Sequence, residues 1–109
     1  MPFPEPAIHH LALPDNLTVR GAAEVKDLLL RSLKDHAATE VDVPDYAPVD
    51  LSLVQILEAA RISFAEEGKL LSLARPAGAS VLAVLERAGI TNSMNASDKH
   101  FWLHQGETQ

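Results

Sequence analysis

Asp50 and Ser52, one residue apart at the start of an amphipathic run, are the pair in this sequence best suited to chemistry. A serine beside a carboxylate at a helix start can carry a phosphoryl group. Unpaired N–H groups and the positive end of the helix macrodipole tolerate negative charge there. The group adds roughly −1.5 to −2 charges, here beside Asp50, Asp45 and Asp42. Flanking Leu51 and Val54 then form the apolar part of a contact that this charge disrupts. The competing reading is structural. Asp50 or Ser52 caps the first turn, with Ser52 and Gln55 as an S-x-x-Q capping box.

Other constellations are weaker. His100 and His104 have an i, i+4 spacing but no third ligand nearby, and adjacent His9 and His10 point to opposite faces of a strand. The RPAGAS segment resembles a strand-to-helix turn able to hold a phosphate, yet it lacks the lysine of a P-loop. Ser52, Ser72 or Ser80 has no nucleophile-elbow signature around it. Cysteine is absent, which excludes disulfides and thiolate metal sites. The expectation is a protein with no cofactor, no metal and no catalytic residue.

These residues must be positioned by a small domain. With 109 residues, the chain suffices for one core. A formal net charge of −6 argues against nucleic acid or an anionic membrane as a direct partner. No apolar run reaches bilayer-spanning length, and MPFPEPAIHH lacks the features of a signal peptide. The reading is cytoplasmic.

In the Val49–Gly68 segment, Leu53, Ile56, Leu57, Ala60 and Phe64 recur on one helical stripe, with Leu51, Gln55, Glu58 and Ile62 opposite. Gly68 supplies the stop. Upstream, residues 1–7 form a proline-rich extended tail. Ile8–Leu13 and Leu17–Val19 read as two short strands around PDN, or as one bent edge strand. A helix follows from Gly21 to about Ala37, through Ala22, Val25, Leu29 and Leu33. Thr39–Val43 is a strand stopped by Pro44. Downstream, Leu70–Leu73 reads as a buried strand and Ser80–Ala88 as a third helix ended by Gly89. The 91–109 tail is a short strand at Phe101 and Leu103 or irregular chain, with Trp102 as a packing anchor. The expected fold is α/β, a small mixed sheet with helices packed on it in the order β-β-α-β-α-β-α.

VDLSLVQILEAA followed by EEGKLLSLARPAGASVLAVLERAGI, in this order of elements, resembles a STAS domain over residues 8–90. That is the fold of bacterial anti-sigma factor antagonists. The resemblance implies an Asp-Ser/Thr-Ser/Thr-Gly sequence at the start of the second helix, whose second hydroxyl residue a partner kinase phosphorylates to switch off docking. Here the Asp is Asp50 and the acceptor Ser52. The alanine pair Ala59–Ala60, Gly68–Lys69 and the closing Ala88–Gly89–Ile90 also match. Leu51 stands where the family has a first hydroxyl residue, and Leu53 stands where it has glycine. Two outcomes stay open: a working acceptor, or a plain docking surface.

The resemblance implies a non-enzymatic signalling module. It binds a serine kinase, an anti-sigma factor or a chemotaxis-type regulator through Tyr46, Asp50, Leu51, Leu53, Val54, Gln55 and Glu58. The alternative it implies is a constitutive subunit of a phospholipid-transport ATPase, where bulky Leu51 and Leu53 suit a permanent interface. A homodimer through the face bearing Leu51 and Ile62 stays open.

Overall fold

Three short strands lie side by side in the computed structural model, which describes residues 8–105. They are β1 (His9–Ala12), β2 (Ala38–Asp42) and β3 (Leu70–Leu73), in spatial order β1-β2-β3 and all parallel. Parallel neighbours need crossovers. Helix α1 (Ala22–Asp35) joins β1 to β2, and α2 (Leu51–Glu66) joins β2 to β3. Two further helices follow, α3 (Ala79–Arg87) and α4 (Ala96–Leu103).

Register fixes the core. Leu11 sits opposite Val41 and Val41 opposite Leu73, while Thr39 sits opposite Leu71. Side chains alternate along a strand, so these five share one face, and all are buried. The other face carries His10, Ala12, Glu40 and Leu70, exposed or half-buried. Leu70 is 61% exposed, so β3 is a half-buried edge strand rather than a fully buried one. Val25 and Leu29 of α1, Leu53, Val54, Leu57 and Phe64 of α2, and Val81 and Leu85 of α3 complete the core.

The Leu17–Val19 strand does not form. Leu17 makes one isolated parallel bridge with Val49, and Val19–Gly21 is a 3-10 turn running into α1. The Asn16 carboxamide accepts the Thr18 N–H (3.1 Å) and hydroxyl (2.6 Å), and the Thr18 hydroxyl accepts the Arg20 N–H (3.3 Å). Such side-chain bonds to nearby backbone favour a turn over a ladder. With no antiparallel hairpin, the sheet among the described residues is parallel rather than mixed, and the order becomes β-α-β-α-β-α-α.

This turn brings Gly21 against its own start. A Cβ at Gly21 would lie 2.1 Å from the Asn16 carbonyl oxygen, a backbone atom that cannot rotate away. Gly21→Ala is expected to cost about 1–3 kcal/mol in urea unfolding, the usual range for overpacking. A loss below about 0.5 kcal/mol, typical of neutral surface changes, would show that the turn yields.

The tail is a helix, not a strand. Asn95 and Asp98 form a reciprocal capping box at the start of α4 (2.8 and 3.2 Å). Phe101 and Trp102 are adjacent and both buried, which a half-buried strand cannot achieve. Trp102 is fully buried and its Nε1–H donates to Glu58 Oε2 at 2.7 Å. Arg61 reaches both Glu58 (2.7 Å) and Asp98 (2.6 Å) and lies over the Phe101 ring. The Ala77 N–H donates to the Trp102 carbonyl at 2.7 Å, and the His104 ring bonds the Leu73 carbonyl at 3.0 Å. These contacts tie α4 to α2 and to the free edge of β3. Among the described residues, no helix is long and apolar enough to cross a membrane.

Candidate functional site

The loop after β2 delivers the chain to α2 alongside the 3-10 turn. The Leu17 N–H donates to the Pro48 carbonyl (2.9 Å), and the Asp50 N–H donates to the Leu17 carbonyl (3.4 Å). Asp50 is the N-cap, in extended conformation. Its Oδ1 accepts the Ser52 N–H and its Oδ2 the Val19 N–H, each at 2.9 Å. One carboxylate thereby holds two helix starts that are 31 residues apart.

These bonds favour the charged form. The Val19 N–H holds the Asp50 carboxyl below its ordinary value of 3.8; partial burial opposes it, and the Ser52 amide and hydroxyl add to the lowering. A carboxylate held low contributes stability that is complete above its unfolded value. That stability is lost as pH falls through the folded one. Asp50→Ala is expected to cost about 0.5–2 kcal/mol at neutral pH, as for other N-cap losses. In urea melts the gap from wild type should narrow below about pH 4. A gap that stays constant with pH would show that the carboxylate charge is not what the cap uses.

Ser52 is the second residue of α2, half-buried, with its amide on Asp50. It is not the cap, and the Ser52–Gln55 box does not form, because Asp50 already occupies the capping position. Beside Ser52, Leu51 is 40% exposed and Gln55 is also exposed, while Tyr46, in the loop between β2 and α2, is 88% exposed. Leu53 and Val54, expected at the contact surface, are each 1% exposed and belong to the core. The helical period places both above Leu57 on the inward side. Leu53, at the glycine position of the resemblance, therefore faces inward and does not stand between Ser52 and an approaching partner. Glu58 is half-buried, and its two oxygens accept from Arg61 and Trp102. The acidic rim is also weaker than its composition implies, because Arg75 pairs with Asp42 (2.6 Å) and Asp45 (3.1 Å).

The fold adds residues that the spacing did not indicate. Val19, 67% exposed, is joined to the site through its N–H on Asp50. Val84 and Arg87 of α3 and its C-cap Ala88 border, with Val49, Asp50 and Leu51, a shallow open depression. The signal for Val19 was the T-V-R-G turn, whose first N–H needs an acceptor. Arg87 carried no signal, since only the packing of α3 beside α2 brings it near.

Among the described residues, no group of three or more His, Cys, Asp or Glu could hold a metal ion. At the RPAGAS turn, a Cβ on Gly78 would sit 3.1 Å from Asp45 Oδ1. A carboxylate thus occupies the approach that an anion would need at the start of α3.

The site is thus an exposed apolar and polar surface around one serine at a firmly capped helix start. A family model described as "Mlab, STAS domain" matches residues 5–96. No curated protein and no solved structure matches the chain.

Proposed function

The chain belongs to the STAS domain family, and from that we propose that it is a non-catalytic cytoplasmic module that docks a regulatory protein through the start of α2. The observation that carries this reading is the exposure of Leu51 and Val19 on either side of the Asp50 cap, whose carboxylate holds the Ser52 and Val19 amides. The partner is a serine kinase, an anti-sigma factor or a chemotaxis-type regulator. When it is a kinase, the γ-phosphoryl group of ATP passes to Ser52 Oγ, ADP leaves, and the hydroxyl proton goes to a base of the kinase.

The phosphate would be placed directly beside Asp50. The helix start favours the added charge, but the Asp50 carboxylate repels it and competes for the Ser52 N–H. Loosening Asp50 also releases the Val19 N–H. Phosphorylation would therefore act twice, charging the surface around Leu51 and freeing the turn that presents Val19.

The bulky exposed Leu51 and Val19 also favour a second reading, a permanent subunit of a phospholipid-transport ATPase. Phosphosite mass spectrometry on protein from its own cells separates the two readings, together with pull-downs of wild type, Ser52→Ala and Ser52→Asp. The switching reading expects phosphate on Ser52, a partner kept by the alanine form and one lost by the aspartate form. A partner held by all three forms, with no phosphate found, would leave the permanent subunit.

A further inference from the structure

On the flank of α2 facing α1, the two helices do not close against each other along their outer edges. Lys26, Leu30 and Leu33 of α1 face Ile56, Ala59 and Ser63 of α2 across a shallow open groove, with Leu29, Ala60 and Phe64 as further lining. The small side chains on α2 keep it open, and Leu30, 52% exposed, stands at its lip. A large aliphatic beside an unfilled apolar groove marks a surface that something covers.

Charge shows what that occupant is. Lys26, Leu30 and Lys34 follow one another at four-residue steps, so they line the same side of α1. Among the described residues neither Lys26 nor Lys34 has a carboxylate within 4.0 Å, whereas Arg31 pairs with Asp27 at 2.8 Å. On a chain with 15 acidic and 9 basic residues, Lys26 in the groove lining and Lys34 two turns further along the same side of α1 set positive charge beside an apolar surface. The α2 wall from Ile56 to Ser63 supplies no acidic partner to the groove, because Glu58 is turned to Trp102 and Arg61. Glu66 and the C-cap Glu67 follow the lining residue Phe64 within one turn and are outside the groove lining, with Glu67 turned to Lys69 (3.9 Å).

We infer that this groove receives an amphipathic acidic helix of a protein partner. The helix sets its aliphatic ridge between α1 and α2 and its carboxylates against Lys26 and Lys34. This contact is separate from the one at Leu51 and Ser52, which lies on the α3 side of α2. One chain can therefore hold two protein segments at once, and phosphorylation of Ser52 leaves the second in place.

The test uses two stapled helical peptides of ~15 residues, long enough for four turns. Both carry leucines on one face; one has glutamates flanking them and the other lysines. Each is titrated into the ¹⁵N-labelled chain. The glutamate peptide is expected to shift the amides of Leu30, Ile56, Ala59 and Ser63. The lysine peptide, and the Lys26→Glu/Lys34→Glu chain with the glutamate peptide, should bind at least about tenfold more weakly. Leu30→Glu, at a half-exposed position, should abolish binding while circular dichroism shows an intact fold.

Equal binding of both peptides, no binding, or shifts confined to Tyr46 and Leu51 would overturn the inference. So would a concentration-dependent dimer in sedimentation that Leu30→Glu dissolves, which assigns the groove to a second copy. Co-sedimentation with phosphatidylglycerol vesicles that displaces the glutamate peptide would assign it to a membrane surface instead.

Discussion

Trp102→Ala is expected to lower the unfolding free energy by about 3–5 kcal/mol, the range for truncating a buried tryptophan to alanine. The side chain is fully buried, and it stacks edge-on against Phe101 with ring centroids 5.0 Å apart. Its loss opens a cavity beneath α4 and leaves Glu58 Oε2 without its indole donor. Trp102→Phe separates the two contributions, since it keeps most of the ring and removes only the N–H. A hydrogen bond to a charged group is worth about 1.5–3 kcal/mol, so the phenylalanine form should lie between wild type and alanine. Urea unfolding measures both, and near-UV circular dichroism reports whether α4 remains docked. A loss below about 1 kcal/mol for Trp102→Ala would mean that α4 is an appendage that the core does not need.

The second large effect concerns docking and should leave stability almost untouched. Leu51→Arg places a charge on the exposed first residue of α2, where Leu51 touches the depression beside Arg87. A central apolar anchor is worth about 2 kcal/mol or more in binding, so affinity for the partner recovered in pull-downs should fall at least about 30-fold. Thermal stability should shift little, because the side chain is 40% exposed in the free chain. Ile62→Arg is the matched control on the same helix, 58% exposed and three turns away. Full binding by Leu51→Arg, or an equal loss from Ile62→Arg, would remove the start of α2 as the docking surface.

The two variants also divide the roles of α2. Its inner side joins the core and its α4 side is occupied by Glu58 and Arg61, which leaves the first turn, the outer stripe and the flank toward α1 for partners. That division explains why neighbouring residues behave so differently. Leu51, Leu53 and Val54 are all aliphatic and lie within one turn, yet only Leu51 reaches solvent.

Much of this was legible in the sequence. The helical period of α1, α2 and α3, the strand at Leu70–Leu73, and the stops at Gly68 and Gly89, both with positive φ, follow from local chemistry that neighbours along the chain determine. So does Asp50 as a capping residue, since a helix start needs an acceptor wherever it lies. The family resemblance rested on the same local signals. Only the tertiary structure decided the rest. Two aliphatics differ in exposure by rotation about α2, and the rotation is set by what packs on the helix. The second oxygen of Asp50 was assigned by the arrival of Val19 from a distant segment. The oxygens of Glu58 were engaged because Trp102 and Arg61 reached them, and the tail became a helix because burying Phe101 and Trp102 together needs helical geometry. A one-dimensional pattern records which residues can be buried or bonded; which of them are depends on partners that the folded chain brings from far along its length.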